Sequence, residues 1–164
     1  MKKYKFSFDA WGLALFLLIM VPNVIWAAIP APNDILRQES VTPLIDIIAS
    51  ICQVIMIAAL CLLIRKDMPR ITMRSKWLWI CTTSIIIYFI CWVLYYSGVT
   101  EKHILLSLSI FPWISLITYE IDRKNWIALI PTLVFTVLHI IYALLNFVVW
   151  FNVMSIIQSY LRHL

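Results

Sequence analysis

Glycine is almost missing from this chain of 164 residues: there are two, Gly12 and Gly98. That scarcity excludes a glycine-rich loop wrapped around phosphate, and it leaves little for helix pairs that meet through small residues four apart. Charge is nearly as scarce, at 13% of residues against roughly 25% in a soluble domain, so most of the chain is not built for water. The four cysteines, Cys52, Cys61, Cys81 and Cys91, make no Cys-x-x-Cys pair and have no neighbouring His. This removes the usual spacing of a metal site or redox dithiol, and single thiols in apolar runs behave as small hydrophobes. His-Glu-x-x-His and Gly-x-Ser-x-Gly are also absent, as are internal repeats, low-complexity tracts and any stretch fit to be a soluble domain. No metal and no cofactor are expected.

What fills the chain instead is hydrocarbon. Hydrophobic residues make up 63% of it and the mean hydropathy is +0.95. Apolar runs of about 20 residues recur, the length that crosses a hydrocarbon core ~30 Å thick at ~1.5 Å per helical residue. Runs such as ALFLLIM and SIIIYFI do not alternate in polarity, which excludes a β-barrel. The expected fold is all-α: one polytopic bundle over 1–164, with five transmembrane helices at about 10–29, 43–64, 77–97, 103–119 and 126–149.

The net charge of +5 reads as threading once the charges are placed. Lys2, Lys3 and Lys5 precede the first span; Arg65, Lys66, Arg70, Arg74 and Lys76 follow the second; Arg123 and Lys124 follow the fourth. Together they are ten of the 13 Lys and Arg, and the opposite side holds Arg37, Lys102 and Arg162. By the positive-inside rule this predicts a multi-pass protein of the cell membrane with its N-terminus cytoplasmic and its C-terminus external. The basic surplus then points to membrane lipids as partners, not to nucleic acid. The first span is expected to be a retained signal-anchor, because Trp26 and Pro32 spoil the small-residue pattern of a cleavage site.

Span boundaries follow from local chemistry. Trp11 and Trp26, Trp77 and Tyr96, and Trp126 and Trp150 bracket three of the spans at headgroup level. Thr42 is expected to cap the second span, with Pro43 at its first position, where a missing N–H costs nothing. The fourth span is the weakest, short at 103–119, interrupted by Pro112 and diluted by Ser107, Ser109 and Ser115, so a kinked or re-entrant segment is an alternative. The tail 150–164 repeats apolar residues at helical spacing. It predicts an amphipathic helix on the outer interface, or one that docks onto a partner membrane protein.

Polar residues inside the spans each need a partner in lipid, so their pattern locates possible chemistry. Asp46, Ser50 and Gln53 share a face of the second span; Thr132, Thr136, His139 and Asn146 share one of the fifth; Ser84, Tyr88, Cys91 and Tyr95 share one of the third. In the first span Pro22 frees the carbonyl four residues earlier, and Asn23 stands beside the break. The expected ligand-binding set is Asn23, Asp46, Gln53, Tyr88, Tyr95, His139 and Asn146, with Arg37 at the mouth as either a local ion-pair partner or a grip for an anion. Bonds that simply hold helices in register, at ~0.6 kcal/mol each, are the structural alternative. His139 and Asp46 are the candidate catalytic pair, an imidazole oriented by a carboxylate.

Three functions stay open on this reading. One is a non-catalytic binding or accessory subunit that engages a lipid, peptide or partner protein. The second is an outer-leaflet enzyme acting on a lipid or polyprenyl headgroup through His139 and Asp46. The third is a small-solute or proton carrier working as an oligomer.

Overall fold

The computed structural model describes residues 3–68, 71, 72 and 74–149. The amphipathic tail expected at 150–164 lies outside the described residues. Among the described residues five helices are long and apolar enough to cross a membrane: α1 (Ala10–Ala28), α2 (Pro43–Leu62), α3 (Lys76–Tyr96), α4 (Lys102–Asp122) and α5 (Trp126–Ala143), which runs on into a π-helical turn, Leu144–Val149. Their outer faces carry exposed aliphatic residues, among them Leu17, Val24, Ile51, Val54, Ile86, Val93, Ile130 and Val137. Such an apolar belt around a multi-pass bundle is the lipid-facing surface.

α4 bears out the expected fourth span over the re-entrant alternative. It is a continuous helix of 21 residues, three longer at its C-terminal end than predicted. It is also the least hydropathic of the five and the most enclosed, with 61% of its apolar window buried against 22–33% in the others. The two facts have one cause. A helix ringed by other helices meets little lipid, so Ser109, Ser115 and Thr118 can sit buried in it, each bonding a carbonyl three or four residues back. The inward stripe of α3 behaves as its spacing predicts: Ser84, Tyr88, Cys91 and Tyr95 are all buried.

One end of the bundle is tied by a feature the hydrophobic pattern does not announce, a two-stranded antiparallel ribbon. β1 (Tyr4–Phe6) pairs with β2 (Leu63–Arg65) in the register Tyr4 to Arg65 and Phe6 to Leu63. The same segment delivers the Ser7 and Asp9 N–H groups to the carbonyls of Leu62 and Cys61, at 3.0 and 2.8 Å, satisfying orphan acceptors at the end of α2. Asp9 then caps α1 by accepting from the Trp11 and Gly12 N–H groups and takes the Tyr119 hydroxyl at 3.0 Å. Gly12 sits where α1 and α2 touch: a Cβ there would lie 3.2 Å from the Leu60 side chain, which would have to give by a few tenths of an ångström. Gly98 is required by conformation, with φ +91° in the turn that ends α3.

The opposite end is closed by a strap, residues 29–42, containing a 3₁₀ turn at Ile35–Arg37 and burying Ala31 and Ile35. Thr42 stands at the N-cap of α2 without capping it through its side chain, contrary to expectation. Its hydroxyl is instead claimed by Ser40 and by the Asn146 amide at 2.9 Å.

Candidate functional site

A cavity of about 340 Å³ lies in the half of the bundle nearer the strap, and all five helices contribute to it. From α2 come Asp46, Ala49, Ser50 and Gln53; from α5, Phe135, His139 and Tyr142; from α1, Ile19, Met20 and Asn23; from α3, Tyr88; from α4, Leu108, Pro112 and Trp113. Five of the eight residues picked out by spacing, Asn23, Asp46, Gln53, Tyr88 and His139, therefore border one space. Its rim includes the exposed Ser50. A second cavity of about 150 Å³ adjoins it toward the strap, sharing Asn23, Leu108, His139 and Tyr142 and bounded above by Leu36.

The walls differ in chemistry because the helical stripes that form them differ. On α5, Phe135, His139 and Tyr142 follow one another at spacings of four and three and stack: the His139 ring lies 5.4 Å from Phe135 at 18° and 5.9 Å from Tyr142 at 21°. Trp113 of α4 packs edge-on against this column, 4.3 Å from Phe135 and 5.5 Å from His139. Among the lining residues, α2 presents Asp46, Ser50 and Gln53 at the same helical spacing. The side chains of Asp46, Gln53 and His139 have no hydrogen-bond partner among the described residues, so their polar atoms are available to the cavity.

The stretch of α1 around Pro22 completes the site. Pro22 removes a backbone donor inside the helix, and at the next position the Asn23 amide donates to the Tyr88 hydroxyl at 2.7 Å and to the Ile19 carbonyl at 3.1 Å. Tyr88 in turn donates to that same carbonyl at 3.1 Å. Asn23 and Tyr88 are thus partly spent on joining α1 to α3, with the Asn23 carbonyl oxygen left over.

His139 and Asp46 do not form the dyad their chemistry suggests. No hydrogen bond or ion pair joins them, although Asp46 lies within electrostatic reach of both His139 and Tyr142. Both border the same cavity, but the imidazole is held by ring contacts and not by a carboxylate.

The remaining three predicted residues, Arg37, Tyr95 and Asn146, fasten the strap and do not line the cavity. Asp34 is the hub. It accepts from the Trp26 indole at 2.9 Å, the Tyr95 hydroxyl at 2.8 Å and the Arg37 guanidinium at 2.7 Å. Burial resists ionisation of Asp34, but those three donors and the Arg37 charge outweigh it and hold the carboxyl below its ordinary value. Arg37 also reaches the carbonyls of Trp26 and Ala27, placing a cation on the C-terminal end of α1, and lies 5.0 Å over the Trp26 ring. Asn146 accepts the Val41 N–H at 2.8 Å and donates to Thr42, so it pins α5 to the start of α2.

Sequence reasoning missed the aromatic wall and the polar cluster at the ribbon end. Trp113 sits in mid-helix, not at an interface, and that position was the available signal. Asp9, before the first apolar residues, carried a helix-capping signature. Glu120 and Arg123, placed in a loop by the predicted end of α4, are buried: Glu120 accepts the Thr132 hydroxyl at 2.7 Å, and Arg123 lies against Tyr119. No family model, curated protein or solved structure matches this chain.

Proposed function

We propose that this multi-pass membrane protein is a non-catalytic binder whose bundle cavity, in the half nearer the strap, takes a small polar molecule or lipid headgroup. One observation carries the reading: polar stripes from separate helices converge on a single 340 Å³ cavity in which Asp46, Gln53 and His139 have unspent hydrogen-bonding groups. Groups that only held the bundle together would be spent on other protein groups, as Asn146 is on Thr42 and Tyr95 on Asp34. A volume in the range of small-molecule sites, an aromatic wall and a few convergent polar groups are the usual anatomy of a binding pocket. The separation of His139 from any orienting carboxylate takes support from the enzyme reading. With the ribbon end cytoplasmic, as the basic residues of the flanking segments argue, the cavity faces the outer half of the membrane.

The reading is tested by filling the cavity. Ala49 is buried in its wall, and Ala49→Phe puts a ring into the space. Native mass spectrometry of the purified wild type is expected to show a retained lipid or small-molecule adduct. The variant is expected to lose it while unfolding at the wild-type temperature. An adduct pattern unchanged by the substitution, or no adduct in either protein, refutes the reading.

A further inference from the structure

The ligand class follows from the charges that line the cavity and from those that do not. Among the lining residues there is one carboxylate, Asp46, and no Lys or Arg. Arg37, the nearest candidate for gripping an anion, is occupied by Asp34 and by the carbonyls that end α1. A phosphate or carboxylate would meet no Lys or Arg there, only the His139 imidazole, which is held among aromatic rings, and would face an acidic side chain already present. A cation finds the reverse.

The kind of cation is set by the other walls. A hard metal ion takes six or more oxygen ligands, several of them anionic. No group of three His, Cys, Asp or Glu suited to a metal occurs among the described residues. An organic ammonium is served by what is present. Asp46 offers the counter-charge, the Gln53 and Asn23 side-chain carbonyls offer further acceptors, and the Trp113, Phe135 and Tyr142 rings border the same space, aromatic surface of the kind that takes weakly hydrated cations. We infer that the cavity is selective for an organic ammonium group, with Asp46 as its anionic partner. The inference rests on the cavity being a ligand site. The ammonium can belong to a lipid headgroup or to a free amine.

The test uses the full chain in nanodiscs of phosphatidylglycerol, with Trp fluorescence following the titration, since Trp113 stands in the wall. Dodecylamine, dodecanol and dodecanoate share a tail and differ only in head charge. Dodecylamine is expected to bind about tenfold or more tightly than either, and Asp46→Asn to remove that preference, the loss of one charge-assisted partner. Ethanolamine then separates the sources. If it competes with dodecylamine, a free amine suffices; if only phosphatidylethanolamine in the nanodisc competes, the ligand is a lipid. Equal binding of the three probes, or a preference that survives Asp46→Asn, overturns the ammonium inference. When such non-selective binding is lost in Ala49→Phe, the binding-cavity reading still stands. If no probe of any charge binds, both fall.

Discussion

Removing the Asp34 carboxylate should loosen the strap and measure what holds the end of the bundle beside the cavity. Three side chains donate to it, from α1 (Trp26), α3 (Tyr95) and the strap itself (Arg37), at 2.7–2.9 Å, and its side chain is only 10% exposed. Hydrogen bonds to a charged group contribute about 1.5–3 kcal/mol each. The Arg37 contribution is discounted because that side chain is 40% exposed and its ion pair is screened by solvent, which leaves ~1 kcal/mol or less. Asp34→Ala is therefore expected to cost about 3–5 kcal/mol, dominated by the Trp26 and Tyr95 donors left without an acceptor. Asp34→Asn, which retains one carbonyl acceptor, is expected to cost about 1–2 kcal/mol. Equilibrium unfolding in mixed micelles, followed by far-ultraviolet circular dichroism, gives both values. The acid limb supplies a second check. The folded carboxyl is held below its ordinary value, so its stabilising effect is complete above the unfolded value of 3.8 and is lost as pH falls through the lower, folded one. Wild type should show that loss and Asp34→Asn should lack it. An Asp34→Ala protein within about 0.5 kcal/mol of wild type would mean that the strap is not fastened through this carboxylate.

Two further outcomes follow at the ribbon end. Glu120→Gln preserves the shape and an acceptor for Thr132 without a buried carboxylate, so its stability is expected within about 1 kcal/mol of wild type, whereas Glu120→Ala loses about 2–4 kcal/mol through the void it leaves, the Thr132 hydroxyl keeping its bond to the Ala128 carbonyl at 2.9 Å; the same unfolding assay distinguishes them. Gly12→Leu forces a side chain into the contact with Leu60 and is expected to cost about 1–3 kcal/mol or more, with Gly12→Ala milder because the Leu60 side chain can shift; equal stability of all three proteins would show that α1 and α2 are not in contact there.

Sequence alone determined the five membrane-spanning helices of the described residues and their approximate ends, because each crossing demands a long apolar run. It also singled out Asn23, Asp46, Gln53, Tyr88 and His139, because polar side chains are rare within such runs and recur on one helical face. Tertiary structure decided what each polar group does. Tyr95 and Asn146 looked suited to a pocket, and Arg37 to a local ion pair or an anion grip; the strap consumes all three, the Arg37 ion pair with Asp34 being legible in their spacing, whereas partners distant in sequence such as Asp34 with Tyr95 and Val41 with Asn146 are brought together only by the path of residues 29–42. The enclosure of α4 was hidden for a related reason: hydropathy reports what a helix can tolerate, not which neighbours surround it. The separation of His139 from Asp46 was decided the same way. Both lie on inward stripes, but the imidazole stacks on Phe135 of its own helix and is set against Trp113 by the packing of α5 on α4, and the carboxylate is left bordering the cavity. Spacing along a helix fixes direction, whereas distance between two helices depends on how the whole bundle packs.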